Sequence, residues 1–339
     1  FVVMFRQWTL PATMASKERF SQQLLAWFDE YGRKDLPWQQ ERTAYRVWLS
    51  EIMLQQTQVG TVIPYYRRFT GRFPTIQALA ESSSDEVMQY WAGLGYYARA
   101  RNLHACAKQV CEQYTGVFPD QVEQLEALPG IGRSTAGAIV AQAFHRRALI
   151  LDGNVKRVLC RYRMIPGWPG KAAVQGALWQ LADELTPAER VADYTQAIMD
   201  LVAMVCRRCR PLCLECPVKS YCQAFQQGVV EQYPEKKPRA TLPTREIYVL
   251  LCYPAHHQSC IMLEKRPPAG IWGGLWSLPQ CEPVQVPEAI LAAEYGHGGT
   301  IVEEVEPVMH ASVSYTHLRA HETNDLISYA VFCLKMGGG

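Results

Sequence analysis

Leu128-Pro129-Gly130-Ile131-Gly132 stands between two stretches of helical pattern, and its reading settles most of the fold. The residues from Gln121 to Ala127 read as a helix before it. After it, Ala136, Ile139, Val140, Ala143 and Phe144 keep the i, i+3, i+4, i+7, i+8 spacing of a buried helical face. Gly130 and Gly132 permit a tight turn. They also leave backbone N–H groups open at the start of the second helix, which suits a phosphate oxygen. Taken alone, a Pro-Gly-x-Gly tetrapeptide is most often a plain turn. Twenty residues beyond Gly132, in Leu151-Asp152-Gly153-Asn154-Val155-Lys156-Arg157-Val158, lies Asp152. It precedes a helix whose apolar face is Val155, Val158 and Leu159. It therefore reads both as an N-cap and as a carboxylate kept ionised by the helix dipole and the nearby Lys and Arg.

This region is basic. Seven Lys or Arg residues lie between Phe144 and Lys171, with Asp152 as the single carboxylate, although the whole chain has a net charge of only +2. Such a segment is either a footprint for phosphate or a solvated surface, and charge alone does not choose between them. Further on, five of the twelve cysteines fall between Cys206 and Cys222. Four of them have the spacing Cys206-x6-Cys213-x2-Cys216-x5-Cys222. Four thiolates in seventeen residues can enclose one tetrahedral metal or one cubane cluster. Cys209 lies inside the loop but outside the pattern. Arg207, Arg208, Arg210 and Lys219 surround it, so a loop that contacts phosphate is plausible on charge.

At 339 residues, with 48% hydrophobic and 19% charged, the chain suits two globular domains. No apolar run is long enough to cross a bilayer. Arg6 follows Phe1 to Phe5 at once, which is not a secretory pattern, so a cytoplasmic location and reduced thiols are expected. Residues 1–14 have no clear pattern and are set apart as an extension. Residues 15–227 read as helical nearly throughout. Residues 228–244 form a linker in which Tyr233 to Pro243 holds two Lys, one Arg and three Pro. Beyond it, Ile247 to Tyr253 and Cys260 to Leu263 are β-rich, with turns at Gly270, Gly273 and Gly274.

Glu51 occurs in Val47-Trp48-Leu49-Ser50-Glu51-Ile52-Met53-Leu54-Gln55-Gln56-Thr57. On a helix it neighbours Val47, Trp48 and Leu54, a setting that raises a carboxyl pKa as a general acid requires. Most helical glutamates are nevertheless solvated.

The cysteine spacing, the hairpin and Asp152 together resemble the endonuclease III superfamily of DNA glycosylases, over roughly Ala44 to Cys222. The segment Ser50 to Gln58 more closely resembles adenine DNA glycosylases. That resemblance implies a mainly α, two-lobed helix-hairpin-helix fold, with a six-helix lobe at 44–149 and a cluster lobe from 15–43 plus 150–227. It implies one structural [4Fe–4S] cluster on Cys206, Cys213, Cys216 and Cys222. It implies Glu51 as the acid that protonates adenine N7, and Asp152 as the carboxylate that stabilises the oxocarbenium-like sugar. Asn154 would help position water. Gln56 would be the wedge filling the gap left by the flipped base, with Thr57 beside it. Leu94 and Tyr96 would contact the opposite base, and Trp38 and Gln196 would belong to the adenine pocket. For each of these last residues a packing role is at least as plausible. Gly130 and Gly132 would contact the DNA backbone. Bifunctional relatives carry a Lys where this chain has Ser134, and a serine cannot form an imine, so base release without strong strand cleavage follows. The implied partner is double-stranded DNA with adenine opposite 8-oxoguanine or guanine, bound by a monomer away from any membrane.

Gly270-Ile271-Trp272-Gly273-Gly274-Leu275-Trp276-Ser277-Leu278-Pro279 resembles the Nudix-like domain that reads 8-oxoguanine in that family, placed here at 245–311 as a smaller α/β unit. The Arg-Glu-x-x-Glu-Glu motif of Nudix hydrolases does not follow, which favours recognition over hydrolysis. Met309-His310-Ala311 begins the family's recognition loop, but Ser312-Val313-Ser314 replaces its continuation. Val313-Ser314-Tyr315-Thr316-His317-Leu318-Arg319-Ala320-His321-Glu322-Thr323 resembles a translated sequencing adapter, so residues 312–339 are expected to be a foreign tail, with a natural divergent terminus as the alternative. The alternatives are a thymine-mismatch or oxidised-pyrimidine glycosylase of the same superfamily and a non-catalytic iron–sulfur DNA-binding protein. The Glu51 segment, Ser134 and the second domain weigh against the first, and the pair Glu51 and Asp152 against the second.

Overall fold

A computed structural model describes residues 16–237, 244–254, 260–267, 273–282, 284–285, 287–296, 299–304, 308–312 and 325–336. The expectation for 1–14, the turn at Gly270 and the stretch 313–324 lie outside these. In chain order the helices are α1 (Ser16–Tyr31), α2 (Pro37–Gln40), α3 (Ala44–Leu54), α4 (Val59–Arg72), α5 (Ile76–Glu81), α6 (Ser84–Trp91), α7 (Ala98–Tyr114), α8 (Val122–Glu126), α9 (Arg133–Ala143), α10 (Gly153–Arg163), α11 (Ala172–Leu185), α12 (Val191–Met204) and α13 (Gln223–Gln226). Several begin where the sequence supplies a cap. Thr43 accepts from the Arg46 N–H, Thr75 from Ala78 and Ser83 from Glu86, each satisfying an amide that the helix itself cannot.

One core gathers Phe20, Leu24 and Phe28 of α1 with Val155, Val158 and Leu159 of α10, Leu178 of α11, and Ile198 and Leu201 of α12. Phe20 meets Tyr162 edge-on at 4.7 Å. Elsewhere Phe69, Phe73 and Trp91 pack ring against ring, as do Trp48 and Phe118. Helix α9 packs on α3, α8 and α12. It comes very close to the following chain because Gly137 has no side chain: an added Cβ would lie 1.9 Å from the Leu149 carbonyl oxygen. The Ser134 hydroxyl of the same helix accepts from the Leu151 N–H at 2.9 Å. These two contacts hold the strand-like segment that delivers Asp152. Among the described residues no helix is long and apolar enough to cross a membrane.

The second unit is β-rich. Strands β1 (Thr244–Pro254), β4 (Gln280–Cys281), β5 (Gly299–Glu304), β6 (Val308–Ser312) and β7 (Asp325–Met336) form one sheet, and β2 (Glu264–Lys265) pairs with β3 (Trp276–Ser277) in a second. The large sheet runs β4-β1-β7-β5, with β6 also paired to β7. Helix α14 (Pro287–Tyr295) precedes β5. Cys260 to Leu263, expected as a strand from β propensity, is not one. Met262 N–H reaches Cys252 O, but Ile261 and Leu263 are exposed and no ladder forms until Glu264. Propensity without a partner strand is not enough. Residues 325–336, inside the tail that the sequence sets apart, run as β7, parallel to β1. His310 lies on β6.

Candidate active site and cysteine pocket

Asp152 is the N-cap of α10. Its Oδ1 accepts from the N–H groups of Asn154 (3.1 Å) and Val155 (2.8 Å), and its Oδ2 accepts from Asn154 Nδ2 (3.1 Å). Arg157 donates from Nη1 to Asn154 Oδ1 (3.2 Å) and from Nε to the Cys206 carbonyl (3.0 Å). A continuous polar chain therefore joins the carboxylate to the first cysteine of the cluster motif. The sequence anticipates that the helix dipole and nearby cations keep Asp152 ionised. These amides and Arg157 do pull its pKa down, but burial is the larger influence and pushes the carboxyl above the ordinary range.

Glu51 sits on α3 between buried Ser50 and Ile52. The residue as a whole is half-buried, yet its carboxyl lies deep enough that desolvation, followed by the negative charge of Asp152, pushes its pKa up to about 8. Two carboxyls within each other's field cannot both ionise freely, so the pair favours one proton and one charge.

Trp38, on α2, is 4% exposed and meets Tyr66 edge-on at 5.4 Å. Gln196, on α12, is 5% exposed. Its Nε2 donates to Asp200 Oδ1 (2.8 Å), and Asp200 is held in turn by the Arg33 N–H (2.7 Å) and Nε (2.9 Å). This leaves Gln196 Oε1 to accept from Gln39 Nε2, which also reaches Gln142 Oε1 at 3.3 Å. Gln39 Oε1 is buried with no protein partner. Gln39 and Gln142 are absent from the sequence-derived site. Adjacency to Trp38 was the only signal for Gln39, and nothing marked Gln142.

Gln56 is exposed and adopts a left-handed φ of 56°. Thr57 is half-buried and its hydroxyl donates to the Gln55 carbonyl at 3.3 Å. Tyr96 is half-buried with φ 52°, whereas Leu94 is 5% exposed, so its side chain is packed and not displayed. Gly130 takes φ 76° and a Cβ there would meet Asn102 Cβ at 2.8 Å. Gly132 caps α9 with open space where its Cβ would be, free for something from outside the chain. The basic segment proves mixed. Arg161 is buried, Arg146 pairs with Asp120, and Arg147 caps the end of α11 through the carbonyls of Asp183 and Thr186. Those three serve the fold, so charge counting overstated the surface available to phosphate.

Cys206, Cys213, Cys216 and Cys222 line one pocket with Val158, Leu201, Val205 and Val218, and Cys209 is exposed outside it. Arg161 Nη1 reaches Cys206 Sγ at 3.4 Å and donates to the Arg207 carbonyl at 2.7 Å, organising the loop. Burial raises the thiols of Cys213 and Cys222 and pushes Cys216 up to about 12. Among the described residues no three His, Cys, Asp or Glu side chains converge on a single-ion position. Four sulfurs in an apolar pocket beside a guanidinium fit a thiolate-bound cluster.

Residues 49–184 match the HhH-GPD superfamily of base excision DNA repair proteins, and residues 250–326 match the NUDIX domain. An adenine DNA glycosylase of Buchnera aphidicola (subsp. Acyrthosiphon pisum) is 41% identical over 265 residues, covering 78% of this chain and 75% of the relative. The chain belongs to the adenine DNA glycosylase family. The human adenine DNA glycosylase is 39% identical, covering 78% of this chain and 58% of the longer relative. Among solved structures, a thermostable thymine-DNA glycosylase aligns with TM-score 0.55 at 26% identity, covering 62% of this chain and 97% of that one. An endonuclease III bound non-covalently to DNA aligns with TM-score 0.53 at 21% identity, covering 63% and 99%, which shows the shared helical fold.

Proposed function

We propose that this enzyme binds double-stranded DNA and hydrolyses the N-glycosidic bond of adenine mispaired with 8-oxoguanine or guanine, without strong strand cleavage. The observation that carries the reading is the carboxyl pair: Glu51, raised to about 8, beside Asp152. Glu51 holds a proton at neutral pH and gives it to adenine N7, turning a poor leaving group into a neutral one. The C1′–N9 bond breaks with its electron pair entering the base. Asp152, oriented by three hydrogen bonds, faces the cationic sugar left behind. Water adds at C1′ with Asn154, fixed between Asp152 and Arg157, directing it, and its proton passes to the Glu51 carboxylate left by the first step.

Trp38, Gln39 and Gln196 form the wall against which the flipped base is read, with Gln196 oriented by Asp200. Ser134 carries no amine, and its hydroxyl is engaged by the Leu151 N–H, which supports a monofunctional reaction. The cluster on Cys206, Cys213, Cys216 and Cys222 would be structural, its iron–thiolate bonds holding the loop 206–222 in shape. The Nudix-like unit would add preference for 8-oxoguanine as the opposite base, weakened here because Ser312-Val313-Ser314 replaces the continuation of its recognition loop. A second reading, thymine or oxidised-pyrimidine release, draws on the likeness to a thymine-DNA glycosylase. Single-turnover excision on duplexes carrying adenine, thymine or an oxidised pyrimidine decides between them. Release of adenine alone supports the proposal, and failure to release it opposite both guanine and 8-oxoguanine sinks it. Borohydride trapping of wild type should give no covalent adduct, whereas Ser134→Lys should give one.

A further inference from the structure

Arg99 lies at the start of α7 and is 4% exposed. From Nη1 it donates to the carbonyls of Ile52 (2.8 Å), Met53 (2.8 Å) and Gln55 (2.6 Å). From Nη2 it donates to Thr57 Oγ1 (3.2 Å) and to the Leu94 carbonyl (3.5 Å). Its guanidinium lies 5.3 Å from the Trp91 ring centroid. The last carbonyls of a helix have no partner within it, and they form the negative end of its dipole. A buried cation at the end of α3 therefore satisfies the helix that carries Glu51. Arg99 also does more than cap, because the same planar group holds acceptors from two separate loops.

The first loop is the turn after α3. Gln56 there is exposed in a left-handed conformation that is unfavourable for a non-glycine residue. The residues on both sides of it, Gln55 and Thr57, are bound to Arg99. The second loop is the segment after α6, held at Leu94. We propose that Arg99 is a positioning residue that fixes the Gln56 turn relative to the Leu94 loop, so that invasion of the base stack and retention of the opposite base occur as one rigid event. This rests on the proposed function and on the roles the family resemblance implies, Gln56 as the wedge and Leu94 and Tyr96 at the opposite base. A lysine keeps the charge but lacks the fork needed to span both loops.

The test compares wild type, Arg99→Lys and Thr57→Val, the last removing one Nη2 acceptor and the hydroxyl's own bond to the Gln55 carbonyl, in case the first fails to fold. Single-turnover excision is measured at saturating DNA, with adenine opposite guanine and with adenine opposite an abasic site, where no opposite base needs to be held. Arg99→Lys should lower the rate opposite guanine by roughly 10- to 100-fold, the scale of an ångström-sized misplacement. Opposite the abasic site the loss should stay under about 3-fold, with duplex affinity near wild type. Thr57→Val should shift the two rates in the same sense by less. Equal losses on both duplexes, or a wild-type rate opposite guanine, would overturn the brace. A 2-aminopurine at the target position reads base extrusion without chemistry. If wild type releases no adenine, the excision reading fails, yet the brace stands if extrusion fluorescence is strong in wild type and lost in Arg99→Lys. No difference there ends the brace as well.

Discussion

Replacing Glu51 by Gln removes a carboxyl whose pKa in the folded chain, about 8, lies above its ordinary value of 4.5. The folded state thus keeps a proton that the unfolded chain releases. Stability from this group is fully present below pH 4.5 and is lost as pH rises through about 8. Each pH unit in that window corresponds to about 1.4 kcal/mol, so the interval to pH 7 amounts to roughly 3 kcal/mol. Glu51 is only half-buried as a residue, and screening by water reduces this to roughly 1–2 kcal/mol. Glutamine has the same shape and nothing to ionise. Glu51→Gln should therefore be more stable than wild type at pH 7 by that amount and nearly equal at pH 5, while excision falls by about 100-fold or more. Urea unfolding of the helical unit, followed by circular dichroism at both pH values, reads the difference. A gain that does not grow with pH refutes the buried, protonated carboxyl, and wild-type excision by the variant refutes its role.

The excision rate of wild type should fall as pH rises through about 8, when Glu51 loses its proton, and should also fall on the acid side above the ordinary aspartate range, because Asp152 must be ionised and its pKa is raised. A rate that stays flat to pH 10 would contradict this, and the two limbs belong to the pair as a unit. Asp152→Asn keeps a side chain able to cap α10, so its urea midpoint should indicate a loss within about 1 kcal/mol. Single-turnover excision by the same variant should drop by about 100-fold or more, since the charge facing the sugar is gone. Gly137→Ala places a Cβ 1.9 Å from the Leu149 carbonyl, which should destabilise by about 1–3 kcal/mol in urea and lower excision by displacing Asp152. An unchanged midpoint would mean that α9 can move away freely.

What the sequence disclosed was local. The hairpin, the cap at Asp152, the environment of Glu51 and the grouped cysteines each depend on residues within a turn or two of one another. The polar array of Arg33, Gln39, Gln142, Gln196 and Asp200 joins positions up to 167 residues apart, and no spacing rule reaches that far. The same limit hid Arg99, which reads as one more charge on a helix until the carbonyls 44 to 47 residues earlier close around it. The opposing influences on Asp152 are only half legible, because its charged neighbours stand in the sequence while the surface that desolvates it does not. Arg161 was counted as surface charge for the same reason.

The packing of α1 against α10, α11 and α12 also orders events during synthesis. Phe20, Leu24 and Phe28 leave the ribosome first of this group, and Leu178, Ile198 and Leu201 arrive only after some 150 to 180 further residues. At roughly 5–20 residues per second, the first helix waits about 10–40 s with its apolar face uncovered. The segments carrying Glu51 and the hairpin emerge in that interval. The cysteine loop comes after the last of these helices, so the cluster proposed for it would form only after α12 has been made. A nascent chain starved of iron at that moment would present an open apolar seam to chaperones or proteases. For this fold, cofactor supply would then set how much protein accumulates as well as how active it is.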